Sequence, residues 1–353
     1  MNTVEKDQTY IAGTYNRFPV EIVSGSGSLV TDVDQKQYID MGSGIGVTSF
    51  GIADTVWQNA VTEQMAKVQH MSNLYYTQPC ADLAAILCEK TGMKKVFFSN
   101  SGAESNECAV KVARKYASEK HGTDCYTIVT LKNSFHGRTL TTLAATGQDH
   151  YHELFQPLTP GFVSVDAGDM AALKSVCQEY KVAAVLIECI QGEGGVVPVS
   201  SEFAQALQQF CREKDILLMV DEVQTGNGRT GKLYAYMHYG LTPDIVSTAK
   251  GLAGGLPLGA TLLGEKVEHV LGFGDHGSTF GGNPVCCAAA ISILKRLDDA
   301  FMAEVQAKSD FLFDSFQGAK GIESVSGLGL MIGLKTARPA ADVVGECMKN
   351  GVL

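Results

Sequence analysis

The chain has 353 residues, 45% of them apolar, enough to enclose one large core or two domains that share one. A formal charge of −10 and the absence of any basic block exclude a nucleic-acid or anionic-membrane surface and leave small molecules as the expected ligands. Ten cysteines occur without a CxxC, and Cys286 and Cys287 are adjacent, which excludes a simple disulfide framework or zinc ribbon; the thiols are read as reduced, with Cys108, Cys189 and Cys211 as small core hydrophobes.

The opening segment, MNTVEKDQTYIAG, lacks the apolar stretch of a signal peptide, and no later run is long enough to span a bilayer, so a cytoplasmic address is expected. Residues 15–50 carry short strand-like pieces (PVEIVS, SLVTDV, QYIDMG) broken by glycines, and residues 1–50 are read as the first part of a small domain. Residues 51–285 form the expected large domain. Within it KKVFFS (94–99), CYTIVTL (125–131), VAAVLIE (182–188), ILLMVDE (216–222), DIVSTAK (244–250) and GATLLG (259–264) are continuous apolar runs, as strands covered on both faces require. Helical spacing recurs between them, as in 102–120, where Ala109, Val112, Ala113, Tyr116 and Ala117 share a face. The fold class is therefore α/β, with a mostly parallel sheet between helices. Residues 286–353 complete the small domain: one or two long helices within 283–318, a strand pair in ESVSGLGLMIGLK, and a last helix over 339–350.

GNGRTG (226–231) satisfies GxGxxG, and GNGRTGKL nearly satisfies the P-loop pattern, but Leu233 stands where a magnesium-binding hydroxyl is needed. DEVQT also separates the first glycine from the strand LLMV, so a dinucleotide fingerprint is rejected too.

Polar residues that end different strands of a parallel sheet converge at one rim, and three do so here: Glu188, Asp221 and Lys250. An acid at the end of ILLMV is costly to bury unless a cation or a protonated ring nitrogen meets it. Lysine and acid together suit pyridoxal 5′-phosphate, which further needs a phosphate cradle, a plate for its ring and a donor to its phenolic oxygen. SNSGAESNE (99–107) ends a strand and opens a helix, so Ser101, Gly102 and Ala103 could face an anion; the S-x-x-E spacing of Ser101 and Glu104 equally allows a plain capping box. NSFHGRT (133–139) offers Phe135 as a plate and Arg138 as a fork for a carboxylate, or else a core phenylalanine and a solvated arginine. Gln224 could reach the phenolic oxygen, and Thr279 in HGSTFGGNP could add a phosphate contact.

In order along the chain, SNLYYTQP (72–79), SNSGAESNE, SFHGRTLTTLAATGQ (134–148), QGEGGV (191–196), DEVQTGNGRTGKLYAYMHYG (221–240), AKGLAGGLPLGA and GSTFGGNP resemble the class III aminotransferases over nearly the whole length. The resemblance implies the fold type I, aspartate-aminotransferase-like PLP-dependent transferase fold and a homodimer. It implies that Lys250 carries the cofactor and moves the substrate proton, that Asp221 holds the ring nitrogen protonated, and that Phe135 stacks on the ring. Gln224 would bond the phenolic oxygen, and Ser101, Gly102 and Ala103 would bind phosphate with Thr279 of a second subunit. Arg138, Glu193 and Tyr15 would govern substrate choice, Glu193 by screening a second arginine until glutamate arrives. Within the family, FHGR, SNLYY and Ile45 favour N2-acetylornithine with 2-oxoglutarate and glutamate over ornithine. Two departures stand out. Cys189 replaces the usual proline, and the family continues several tens of residues past the position of Leu353, where it supplies the second arginine; neither Arg296 nor Arg338 has a matching context. Either a shortened product with a damaged small domain or an intact cofactor site with an impaired glutamate half-reaction would follow.

Overall fold

The computed structural model describes residues 1–353. Helix α1 (Thr3–Tyr10) precedes a three-stranded antiparallel sheet of β1 (Ile22–Ser26), β2 (Leu29–Asp32) and β3 (Gln37–Ile39), then the single turn α2 (Ser43–Gly46). Asp32 shapes the β2–β3 turn: one carboxylate oxygen accepts the amides of Asp34 and Lys36, and the other accepts the Tyr38 hydroxyl at 2.8 Å. Helices α3 (Thr55–Met65) and α4 (Gln78–Thr91) lead into the central layer.

That layer runs β4 (Lys95–Ser99), α5 (Gly102–His121), β5 (Thr127–Leu131), α6 (Leu140–Ala145), β6 (Phe162–Val165), α7 (Met170–Glu179) and β7 (Val182–Ile187). A small hairpin, β8 (Ile190–Gln191) and β9 (Val197–Pro198), follows, then α8 (Ser201–Lys214), β10 (Leu217–Asp221), β11 (Ile245–Thr248) and β12 (Gly259–Leu263). Seven strands form one sheet in the order β4-β12-β11-β10-β7-β5-β6. Only β12 opposes the rest, pairing antiparallel with both β11 and β4. The expected mostly parallel sheet is present. The edge strand β6 was not expected, because FVSV is short and only half-buried.

The continuous apolar runs are explained by a two-sided core. Val185, Ile187, Leu218, Val220 and Val246 face the layer of α4, α8 and α9 (Pro284–Leu294). Their strand neighbours Ala184, Leu186, Leu217, Met219 and Ile245 point the other way, onto Cys108, Ala109, Val112 and Tyr116 of α5. Each fully buried leucine or isoleucine contributes about 1.5–3 kcal/mol. Helix starts are capped as their sequences specify: Ser200 accepts the Phe203 amide, and Asn283 accepts the Val285 amide ahead of Pro284.

The region beyond α9 resolves into α10 (Asp299–Phe316), the hairpin β13 (Ile322–Leu328) and β14 (Met331–Thr336), and α11 (Ala340–Lys349). The chain's two ends meet: Ile39 donates to Gly351 and accepts from Leu353, and the Lys36 amine donates to the carbonyls of Met348 and Lys349. All ten cysteines are free, and no helix is long and apolar enough to cross a membrane.

Candidate active site

The carboxyl ends of β4, β5, β7, β10 and β11 open on one rim, and because β12 runs backwards its first residue, Gly259, lies there too. Asp221 is the last residue of β10, and Glu188 lies one residue past β7. Lys250 is not part of its strand as the run 244–250 suggested. β11 stops at Thr248, and Lys250 opens a one-turn helix with φ +47°, a left-handed conformation that L side chains adopt at a cost.

The Lys250 side chain is half-buried, and burial lowers its pKa; Asp221, Glu193 and Glu188 oppose this only through space, with no hydrogen bond to the amine. Asp221 is buried and well supplied. Its Oδ2 accepts from Asn106 Nδ2 at 2.7 Å and from His136 Nδ1 at 2.8 Å, and its Oδ1 accepts the Val223 amide at 2.9 Å. A carboxylate has about four acceptor positions, so three donors leave room for one more. Asn106 is itself fixed, donating also to the His136 carbonyl and accepting from Ser247. The His136 ring is fully enclosed, and its Nε2 has no partner.

The anion cradle is the start of α5. Ser101 accepts the Glu104 amide at 3.2 Å, but the Glu104 carboxylate reaches back to the Asn100 amide at 2.6 Å, so the expected capping box is only half formed. The amides of Gly102 and Ala103 lie in the first turn, where no intrahelical acceptor exists, and remain available to an anion. Gly102 admits no side chain, since a Cβ there would lie 2.5 Å from Val223 Cγ1. An acid with one acceptor position open, an unpaired amine and a two-amide cradle, at the ends of β10, β11 and β4 on one rim, fit the ring nitrogen, aldehyde and phosphate of pyridoxal 5′-phosphate.

Gly259 explains one glycine of the stretch after Lys250. A Cβ there would press on the Ser101 carbonyl and the Ser105 hydroxyl, at the base of the cradle. Gly259→Ala is therefore expected to cost about 1–3 kcal/mol, as overpacking does. It should also reduce cofactor retention, both read from a thermal melt and from visible absorbance per mole of protein. Gly254 serves differently, holding a left-handed turn at φ +61°.

Phe135 is half-buried, edge-on to Tyr151 at 6.0 Å between ring centres, and the Arg138 guanidinium lies 4.0 Å over the Tyr151 ring with no acidic partner. Glu193 is exposed and accepts from Gln224 Nε2 at 3.5 Å. Glu188 is buried; its Oε2 accepts the Phe135 amide at 2.9 Å and its Oε1 the Gly192 amide at 3.3 Å. Burial pushes its pKa up to about 7, opposed by His136 and assisted by Asp221.

Other candidates lie apart. Tyr15 is exposed, with the Arg17 guanidinium over its ring. Thr279 is exposed on the loop before α9, and Ile45 is exposed at φ +63°. Arg296 is engaged by Asp54 through two bonds of 3.0 and 2.6 Å, and Arg338 lies 3.8 Å from Glu346 on the surface. The GNGRTG segment folds into successive turns against Leu297, Phe301 and Met302 and opens no helix, in keeping with its rejection as a phosphate loop. Sequence reasoning missed Asn106 and Tyr151. A polar residue on the buried face of α5 could have flagged Asn106, whereas DHYHE carries no such signal for Tyr151.

The profile described as Aminotransferase class-III matches residues 10–353. The chain is 51% identical to the acetylornithine aminotransferase of Haemophilus ducreyi, over 98% of this chain and 89% of that protein. It is 42% identical to that of Methanocaldococcus jannaschii, over 100% and 89%. Among solved structures it resembles an ornithine aminotransferase from Toxoplasma gondii (TM-score 0.95, 32% identity, 99% of this chain and 86% of that one). It also resembles an N-acetylornithine aminotransferase from Stenotrophomonas maltophilia (TM-score 0.85, 33%, 99% and 89%).

Proposed function

Because the chain belongs to the class III aminotransferases, we propose that it moves the terminal amino group of N2-acetyl-L-ornithine to 2-oxoglutarate. The products are N-acetylglutamate 5-semialdehyde and glutamate, a step of arginine biosynthesis. The cofactor is pyridoxal 5′-phosphate, which when bound draws electrons from the carbon bearing the amine and so lets its proton leave. Lys250 anchors the cofactor and takes and returns that proton, a task suited to an amine whose pKa burial has lowered. Asp221 keeps the ring nitrogen protonated, Phe135 covers the ring, and Gln224 donates to the phenolic oxygen. Ser101 and the amides of Gly102 and Ala103 hold the phosphate.

The observation that carries the substrate reading is the Arg138 guanidinium, stacked on Tyr151 and free of any acid. Such a fork binds a carboxylate two-handed, whether that of acetylornithine or the side-chain carboxylate of glutamate. Glu193, hydrogen-bonded to Gln224 at the rim, and Tyr15 are the further candidates for substrate choice. A coupled assay of amine donors at fixed 2-oxoglutarate is expected to rank acetylornithine first; finding it the poorest would overturn the reading. Ornithine is the rival donor, favoured by the close superposition with an ornithine aminotransferase.

A homodimer is part of this reading, with Thr279 of a second copy completing the phosphate site. The exposed apolar side chains Leu74, Tyr75, Tyr76 and Phe280 support it; Asn73, next to the first three, donates to the Ser278 and Gly281 carbonyls that flank Phe280. Residues 1–50 and 286–353 together make a small domain around the large one of 51–285, supported by the contact of the two chain ends. The ten free cysteines support a cytoplasmic address.

A further inference from the structure

Glu188 is one of the three rim residues, yet no step above uses it. It is buried, and both of its oxygens are engaged by backbone amides from different loops: Phe135, after β5, and Gly192, in the turn between β8 and β9. The first loop carries the ring plate and Arg138; the second carries Glu193.

We propose that Glu188 is a positioning residue which sets the separation between the two carboxylate-reading elements, gripping the backbone of Phe135 with one oxygen and that of Gly192 with the other. The assignment rests on the substrate roles of Arg138 and Glu193 given above. A second contact joins the same loops at their base, where Gln191 Nε2 donates to the Lys132 carbonyl at 2.7 Å. It lies three residues before Phe135 and fixes where the loops start, while Glu188 fixes Phe135 and Gly192 themselves. Only a carboxylate of this length does so. Glutamine offers one acceptor and turns an NH2 group against the other amide, and aspartate keeps the charge but is one methylene too short to span both.

The test uses the holoenzyme with N2-acetylornithine and 2-oxoglutarate. Glu188→Gln and Glu188→Asp are both expected to raise KM for each substrate by about tenfold, the cost of one stranded amide, with kcat within about threefold and the visible cofactor band retained. Aspartate behaving like the unmutated enzyme would assign Glu188 to the charge of the centre and overturn the proposal, as would unchanged KM in both variants. If neither variant folds, amide exchange in the unmutated holoenzyme decides: the Phe135 and Gly192 amides are expected to exchange slowly, and an open amide at either overturns the bridge. Failure of the unmutated enzyme to use either substrate counts against the proposed function alone, because amide exchange reads the bridge without turnover.

Discussion

Lys250→Ala is expected to abolish transamination, by several orders of magnitude in kcat/KM, while leaving the fold in place. The side chain is half-buried on a one-turn helix past β11, it makes no hydrogen bond, and burial works against its charge. Its removal takes away a costly buried amine and little packing, so stability should change by no more than about 1 kcal/mol. The visible band of the bound cofactor should shift or vanish, since the covalent anchor is gone, while a thermal melt stays near that of the unmutated protein. Near-normal turnover in this variant would contradict the assignment of the centre.

Asp221→Asn is expected to be nearly as damaging for a different reason. Three donors point at this carboxylate, from Asn106, His136 and Val223, and an amide cannot accept on both sides. Whichever way the new side chain turns, its NH2 meets at least one fixed donor in a buried place, a conflict worth about 1–3 kcal/mol. A neutral amide also has no charge with which to keep a ring nitrogen protonated. Turnover should fall by several orders of magnitude with part of the cofactor retained, measured as kcat in the coupled assay beside absorbance per mole. Unchanged kcat would remove Asp221 from the mechanism.

The centre was readable in the sequence where chemistry and strand ends coincide. An acid closing ILLMV and a lysine closing DIVSTA are both expensive in a core, and the sheet brings them to one rim. Three features were not readable. A strand buried on both faces has the same apolar run in either direction, so GATLL does not reveal that β12 is antiparallel. Tyr151 reaches Arg138 from a one-turn helix thirteen residues on, a contact no local spacing encodes. Glu188 stands out at its strand end, but its partners do not, because they are backbone amides and a main-chain partner leaves no complementary side chain to find.

The reversed strand also sets a dimension. β12 lies between the strand that ends at the anion cradle and the strand that ends just before Lys250, its Gly259 opposite Ser99 and its Ala260 opposite Thr248. Two lateral steps of main-chain ladder, about 10 Å, therefore act as a ruler between the two grips on the cofactor. That length is set by main-chain pairing rather than by any side chain, so the gauge for what the site will hold belongs to the backbone.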